Sequence, residues 1–157
     1  MVSINKIVFC TDFSEYSHRA FDWAFDLTQK YQAQLFLVHA VPPLVFPSPV
    51  MEDFISEQAN LQFLEEAVQR AADQIENIYI QKMGDYKNAV VRVLSGHPAM
   101  EILNFIDQEK VDLVVLGTHG LTGLAHFFLG STAEKIVRRA NCSVLTVHQP
   151  KKSTTTC

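Results

Sequence analysis

The chain has 157 residues, of which 48% are hydrophobic and 19% charged, and its formal net charge at pH 7 is −4. This composition is typical of a globular protein, and the acidic balance argues against a protein that binds nucleic acid through clustered lysine and arginine. No apolar run is long enough for a membrane span, and the one before Asp12 is too short for a signal peptide. We therefore expect a single soluble domain over 1–149 and a disordered polar tail over 150–157.

The number and spacing of the cysteines indicate whether the protein functions in a reducing or an oxidising cellular compartment. The three cysteines are Cys10, Cys142 and Cys157, and they form neither a CxxC motif nor an even framework. A reducing cytoplasm fits this pattern. Cys10 and Cys142 adjoin apolar runs and are expected to be buried thiols.

Apolar runs alternate with helical patterns along the chain. Short apolar runs bounded by turn residues predict strands, and apolar residues at steps of three and four predict helices. The predicted elements in chain order are a strand over 4–10, a helix over 14–31, a strand over 34–41, a proline-rich loop over 42–53, a long helix over 54–82, a strand over 88–94, a helix beginning at Pro98, a strand over 112–116, a glycine-rich segment, a helix over 131–140 and a strand over 143–148.

The helical patterns also predict which side chains are buried. In the first helix the apolar stripe includes Trp23, Ala24 and Tyr31, and in the long helix it runs from Leu61 to beyond Ile75. Strands joined by helices imply a mostly parallel sheet with helices on both faces, an α/β fold. The continuous apolar strands agree with burial on both sides of the sheet.

Two segments follow strands where such folds bind ligands, beyond the carboxyl ends of the strands and at the point where strand order reverses. The first strand ends in the polar turn from Cys10 to Ser14, and the fourth leads into glycines at 117, 120, 123 and 130. If these two strands are neighbours, both segments face one crevice. Asp12 is the acid clearly placed there, and its alternative role is to cap the first helix or its turn.

The glycine segment ends at Gly130, Ser131 and Thr132, where a helix begins. A helix N-terminus offers unpaired N–H groups and partial positive charge, which suit a phosphate. The alternative without a ligand is a capping box formed by Ser131 and Glu134. The chain has neither a GxxxxGK[ST] loop nor a GxGxxG motif after a strand, so backbone N–H and hydroxyl groups would hold any phosphate.

Several segments resemble the ATP-binding branch of the universal stress protein family. The branch's motif is a Gly, two residues, a Gly, nine residues, then Gly and Ser or Thr, and it matches here at Gly117, Gly120, Gly130 and Ser131. The stretches KIVFCTDFSEYSHRA, GHPAMEIL and NCSVLTVH are similar to other parts of the family's sequence. The resemblance spans about residues 4 to 148. It implies a Rossmann-like, five-stranded parallel sheet in the order 3-2-1-4-5, which makes strands one and four neighbours.

The resemblance also implies which residues bind a nucleotide. Thr11 and the main chain at Ala40 would border the adenine, Asp12 would contact ribose or, through a metal ion, phosphate, and Leu116 and Gly117 would line the ribose side. The residues at the end of the glycine segment would hold the phosphates. The implied set is Thr11, Asp12, Ala40, Leu116, Gly117, Gly120, Gly130, Ser131 and Thr132. A Mg²⁺ ion would accompany ATP, with no direct protein ligand assigned to it.

Histidine side chains serve many roles, including metal binding and hydrogen bonding. His119, inside the glycine motif, is expected to be a solvated loop residue, and a metal shared with His126 has no supporting spacing. His39, near the end of the second strand, is expected to be a hydrogen-bonded structural residue.

Three functional hypotheses follow. The leading one is a cytoplasmic, ATP-binding stress-response module with at most slow ATP hydrolysis, which binds an unidentified protein partner and neither nucleic acid nor membrane. The resemblance further implies a homodimer joined through the last strand, an edge strand that would otherwise be unpaired. The alternatives are an enzyme that hydrolyses ATP or transfers phosphoryl groups on the same fold, and a nucleotide-independent interaction module whose glycines are architectural.

Overall fold

A computed structural model describes residues 3–44, 57–118 and 129–148. Most predicted boundaries agree with it to within about two residues. The long helix, however, ends at Ile78 rather than at Lys82 and is followed by a 3₁₀ turn at Ile80–Met83. Within the described ranges the elements are β1 Lys6–Cys10, α1 Glu15–Tyr31, β2 Gln34–Val41, α2 Glu57–Ile78, β3 Ala89–Ser95, α3 Pro98–Glu109, β4 Leu113–Gly117, α4 Ser131–Arg139 and β5 Ser143–Val147. No helix in these ranges is long and apolar enough to cross a membrane.

The strands form one parallel sheet in the order β3-β2-β1-β4-β5. The predicted order is therefore confirmed, and β1 lies between β2 and β4. Cys10 at the end of β1 pairs with Val38 on one side and Leu116 on the other. The strand order reverses between β1 and β4, so the turn after β1 and the end of β4 lie side by side.

Helices cover both faces of the sheet, as the apolar strands predicted. On one face Ile7 and Phe9 pack with residues of α1 and with Ile75 of α2. On the other face Val8 and Cys10 pack with residues of α3 and α4. Successive β1 side chains alternate between these two clusters, because neighbouring strand residues point to opposite sides. Burial of both faces explains why the strands read as continuous apolar runs.

The predicted apolar stripes of α1 and α2 are partly wrong. Trp23 is 55% exposed, Tyr31 is 45% exposed and Leu61 is 55% exposed. The buried face of α1 instead includes small polar residues, of which Thr28 satisfies its hydroxyl by donating to the carbonyl of Ala24 at 2.7 Å. The buried face predicted from apolar residues alone therefore lies too far toward Trp23 on the helix surface.

The predicted helix starts are confirmed at two helices. Ser14 is the N-cap of α1, and its hydroxyl accepts a hydrogen bond from the backbone N–H of Ser17. Pro98 occupies the first turn of α3, where its missing N–H costs nothing. Most of the proline-rich loop, the start of the predicted long helix, and Gly120 with Gly123 lie outside the described residues.

Candidate functional site

A cavity of about 420 Å³ lies at the carboxyl ends of the central strands, beside the N-terminus of α4. Its size is within the range of small-molecule sites. The predicted binding residues that line it are Thr11, Asp12, Ala40, Leu116, Gly117, Gly130, Ser131 and Thr132. Gly120 and His119 lie outside the described residues. The structure thus brings the turn after β1 and the end of the glycine segment to one crevice.

Asp12 caps the turn that leads into α1. Its Oδ1 accepts hydrogen bonds from the backbone N–H of Ser14 at 3.1 Å and from the Ser14 hydroxyl at 2.6 Å. The structural role weighed for Asp12 is therefore observed. Within the part of the chain that the structure describes, its Oδ2 accepts no hydrogen bond, and Asp12 is only half-buried at the cavity wall. One oxygen holds the turn and the other remains available to a ligand.

Phe13 adopts an unusual backbone conformation in this turn. Its φ is 63°, a left-handed value that a bulky residue rarely takes. Its N–H donates to the Thr11 hydroxyl at 3.0 Å, and its ring lies 4.7 Å from that of His39. The conformation places Asp12 and Ser14 on either side of a strained residue, so the surrounding contacts must hold the turn in place.

Thr11 is anchored from beneath the cavity by a buried cluster of polar side chains. Its Oγ1 lies 2.7 Å from the Tyr79 hydroxyl and donates to Ser17 Oγ at 3.1 Å. Tyr79 is fully buried and also lies 2.8 Å from His18 Nδ1. Burial raises the pKa of Tyr79, so its hydroxyl remains protonated at neutral pH. Sequence reasoning missed this cluster, although Tyr79 follows Ile75 by one helical turn.

His39 has the structural role predicted for it. Its Nδ1 lies 2.8 Å from the backbone carbonyl of Thr11. A carbonyl oxygen only accepts, so Nδ1 carries the proton and Nε2 is an acceptor when the ring is neutral. The bond ties the end of β2 to the turn after β1, and both lie at the cavity.

Helix α4 begins at Ser131, as the sequence predicted. Gly130 is the N-cap and supplies no side-chain cap, while Ser131 is already the first helical residue. The alternative of a capping box formed by Ser131 and Glu134 is therefore not observed, because that motif requires Ser131 to be the N-cap and the helix has Gly130 there. Glu134 forms an ion pair with Arg138 instead, with Oε1 3.0 Å from Nη2.

This helix end presents unpaired donors to the cavity. Glu134 N–H donates to the Gly130 carbonyl, and Gly130 N–H donates to the Thr118 carbonyl at 2.8 Å. The backbone N–H groups of Ser131, Thr132 and Ala133 find no acceptor among the described residues, and all three residues line the cavity. Together with the helix dipole, these groups suit an anion.

The glycines at the two ends of the segment differ in their surroundings. A Cβ atom on Gly117 would lie 2.9 Å from the backbone carbonyl carbon of Tyr16 in α1, so this glycine allows a strand end to pack closely against a helix. Gly130 has φ −56° and ψ 149°, which any residue can adopt. Backbone conformation therefore does not account for the glycine at 130.

The remaining chemistry of the described cavity wall is sparse. Burial raises the pKa of the Cys10 thiol to about 12, with a smaller contribution from Cys142. Cys10 is therefore a neutral thiol at physiological pH and a poor nucleophile. Among the described lining residues Asp12 is the only acid, and none is lysine or arginine.

Nearly the whole chain is similar in sequence to known proteins. The model of the universal stress protein family matches residues 3–148. Over 152 aligned residues the chain is 34% identical to universal stress protein MJ0531 of Methanocaldococcus jannaschii, covering 94% of this chain and 84% of that protein.

Solved structures agree with the sequence comparison. Hypothetical protein MJ0577 superposes with a TM-score of 0.81 at 24% identity, covering 96% of this chain and all of its own. A universal stress protein solved in complex with cAMP superposes with a TM-score of 0.60 at 28% identity, covering 94% of this chain and 98% of its own. The chain belongs to the universal stress protein family.

Proposed function

We propose that this protein binds ATP in the cavity beside α4 and acts as a cytoplasmic stress-response module. The observation that carries the proposal is the N-terminus of α4, where Gly130 leaves the N–H groups of Ser131, Thr132 and Ala133 without described partners. Unpaired backbone donors at a helix N-terminus favour a phosphate group strongly. The hydroxyls of Ser131 and Thr132 add further donors, and no P-loop lysine is needed.

The rest of the cavity suits the other parts of an adenine nucleotide. Thr11 and Ala40 border one end, where the wall also includes His39 and the apolar ring of Pro42. Leu116 and Gly117 lie between that end and α4, which is where ribose would sit. The structural relative solved with cAMP is 28% identical and supports an adenine nucleotide as the ligand class.

Asp12 is the described residue that would contact a Mg²⁺ ion bound with ATP. Magnesium in nucleotide sites is commonly held by one or two carboxylates together with the phosphates, and Asp12 Oδ2 accepts no hydrogen bond from the described residues. The carboxylate would contact the ion directly or through water, and it would otherwise reach the ribose. The described residues thus fit a nucleotide that brings its own metal ion.

Asp12→Asn tests this role without removing the turn. The asparagine keeps an Oδ1 that can accept from Ser14, so the structure of the turn is retained, but the negative charge is lost. We expect the affinity for ATP with Mg²⁺ to fall about tenfold, equivalent to about 1.4 kcal/mol, and the gain in affinity that Mg²⁺ gives the wild type to disappear. Titration calorimetry with and without Mg²⁺ measures both. An unchanged Mg²⁺ dependence would remove Asp12 from the metal's surroundings.

The alternative on the same fold is an enzyme that hydrolyses ATP or transfers its phosphoryl group. Efficient phosphoryl transfer needs positioned charge stabilisers and a residue that orients the nucleophile, and the described wall contains Asp12 as its only acid. We therefore propose binding with at most slow hydrolysis. Sustained release of inorganic phosphate, abolished in Asp12→Ala, would favour the enzyme instead.

We also propose that two copies pair through β5. This strand is at the edge of the sheet. The Ser143 N–H donates to the carbonyl of Asp112, just before β4, and the Val147 carbonyl accepts from the Thr118 N–H, just after it, so both residues direct these backbone groups toward the β4 side. Because backbone groups alternate along a strand, those of Val144 and Thr146 face the free edge. An unpaired edge is a natural surface for symmetric strand pairing.

Thr146→Pro is expected to convert the dimer to a monomer, because proline removes the N–H that faces the free edge and leaves the ladder with β4 intact. Sedimentation velocity at several protein concentrations measures the change. Val91→Pro is the matched control, since it removes an outward N–H from β3 at the opposite edge and should leave the dimer unchanged. A monomeric wild type would contradict the proposal directly.

A further inference from the structure

We infer that Tyr79 is a positioning residue of the nucleotide site, and that its hydroxyl holds the turn carrying Asp12 through Thr11. The inference rests on the proposed function. Tyr79 comes directly after α2 and touches the cavity wall from behind, without lining the cavity itself. Its effect on a ligand would therefore be indirect, exerted by fixing the position of the wall.

The Tyr79 hydroxyl contacts three polar side chains, and we call its support of Thr11 the brace. The oxygen lies 2.7 Å from Thr11 Oγ1, 2.8 Å from His18 Nδ1 and 3.5 Å from Ser17 Oγ. Its ring is fully buried and packs against Phe9 and Phe21 with centroid separations of 5.1 and 4.8 Å. The hydroxyl is consequently fixed in space by the core and cannot follow Thr11 if that residue moves.

The direction of each hydrogen bond shows that this cluster is complete. Ser17 Oγ donates to the Ser14 carbonyl at 2.8 Å, so Thr11 Oγ1 donates to Ser17. Thr11 then accepts from Tyr79, and Tyr79 accepts from the Nδ1–H of His18. In this arrangement one rotamer of Thr11 satisfies every partner, because its hydroxyl has one proton and two lone pairs.

The second lone pair of Thr11 reaches the turn itself. Phe13 N–H donates to Thr11 Oγ1 at 3.0 Å, and Phe13 is the residue with φ 63°. A left-handed bulky residue persists only where its surroundings hold it. Asp12 precedes this residue directly, so the orientation of its carboxylate depends on the same hydrogen bond. Removing the Tyr79 hydroxyl frees Thr11 to rotate, and the turn then loses its support.

Tyr79→Phe tests the inference, with Tyr86→Phe as the matched control. Tyr86 also packs against the core cluster that contains Tyr79, and its hydroxyl donates to the Ala33 carbonyl, away from the cavity wall. Both variants lose one hydrogen-bonded hydroxyl. We expect ATP affinity measured by calorimetry to fall about tenfold in Tyr79→Phe, since a tenfold change is about 1.4 kcal/mol. In Tyr86→Phe it should stay within about twofold of wild type.

A measurement without nucleotide separates the brace from general destabilisation. In the ¹H–¹⁵N NMR spectrum of the ligand-free protein, Tyr79→Phe should shift the Phe13 and Ser14 amides and speed exchange of the Phe13 amide proton. Tyr86→Phe should leave these signals in place.

His18→Asn, which keeps a polar group near the Nδ1 position, should bind ATP more tightly than His18→Leu, which keeps none.

The outcomes distinguish this inference from the proposed function. If the wild type binds ATP and Tyr79→Phe binds equally well with unmoved amides, the brace is wrong and the proposed function stands. If both tyrosine variants lose affinity equally, the effect is one of stability and the brace is again wrong. If the wild type binds no ATP, the proposed function fails and the positioning role fails with it, whatever the amides show.

Discussion

Gly130→Val is expected to abolish most ATP binding while the protein remains folded. Valine would place a branched side chain at the N-cap of α4, beside the unpaired N–H groups of Ser131 and Thr132. The backbone at 130 is in a region that valine adopts easily, so the loss would come from blocked space at the cavity. We expect affinity to fall at least about a hundredfold, which is about 2.8 kcal/mol. Calorimetry measures the affinity, and circular dichroism checks the fold.

Ala140→Val is the matched control for this experiment. Ala140 flanks the other end of α4 with φ −66° and ψ 137°, close to the conformation of Gly130, and does not line the cavity. Its substitution adds bulk to the same helix and should leave ATP affinity within about twofold of wild type. If Gly130→Val bound ATP as tightly as the wild type, the phosphates could not lie at this helix end.

Gly117→Ala is expected to destabilise the fold strongly, although it adds only one methyl group. The new Cβ would lie 2.9 Å from a backbone carbon of Tyr16 and 3.0 Å from the Tyr16 carbonyl oxygen. Backbone atoms of α1 cannot rotate away as a side chain can, so the helix or the strand must shift. We expect a loss of about 3 kcal/mol in the free energy of unfolding, at the upper end for overpacking. Urea denaturation measures it.

Gly84→Ala separates this steric effect from the general cost of replacing glycine. Gly84 has φ +57°, and a Cβ atom added there would have no described neighbour within 4 Å, so alanine suffers conformational strain alone. Its ψ of −127° lies outside the left-handed helical region, so the expected cost is about 2 kcal/mol. If the two substitutions cost the same, close packing at Gly117 would not be the reason for that glycine.

The parallel sheet was predictable because its signals are local and repeated, whereas its strand order was implied by the resemblance to a family. Apolar runs of strand length alternate with helical patterns from Ile7 to Val147, and the glycine motif identified the family whose strand order the structure confirms. The meeting of Asp12 and Gly130 at one cavity followed from that order, since both come after neighbouring strands. Whether these residues bind a nucleotide is still a prediction.

Three features of the structure differ from the sequence-based interpretation or were missed by it, each for a physical reason. The capping-box alternative fails because Gly130, not Ser131, is the N-cap, and the spacing of Ser131 and Glu134 does not by itself fix which residue is the N-cap. The stripe of α1 was misplaced because Ser17 and Thr28 are buried polar residues that satisfy themselves locally. Tyr79 was missed because its hydroxyl meets Thr11 across a separation of 68 residues, which no local pattern records.

The most direct test of the central claim is an NMR titration of the wild type with ATP and Mg²⁺. The claim is that the phosphates lie at the N-terminus of α4, so the amide signals of Ser131, Thr132 and Ala133 should shift together and saturate at micromolar ATP. The amide of Asn141, beyond the other end of the helix, should not move. Saturable binding that leaves the three amides unmoved, or no binding at all, would contradict the account and leave the glycines an architectural role.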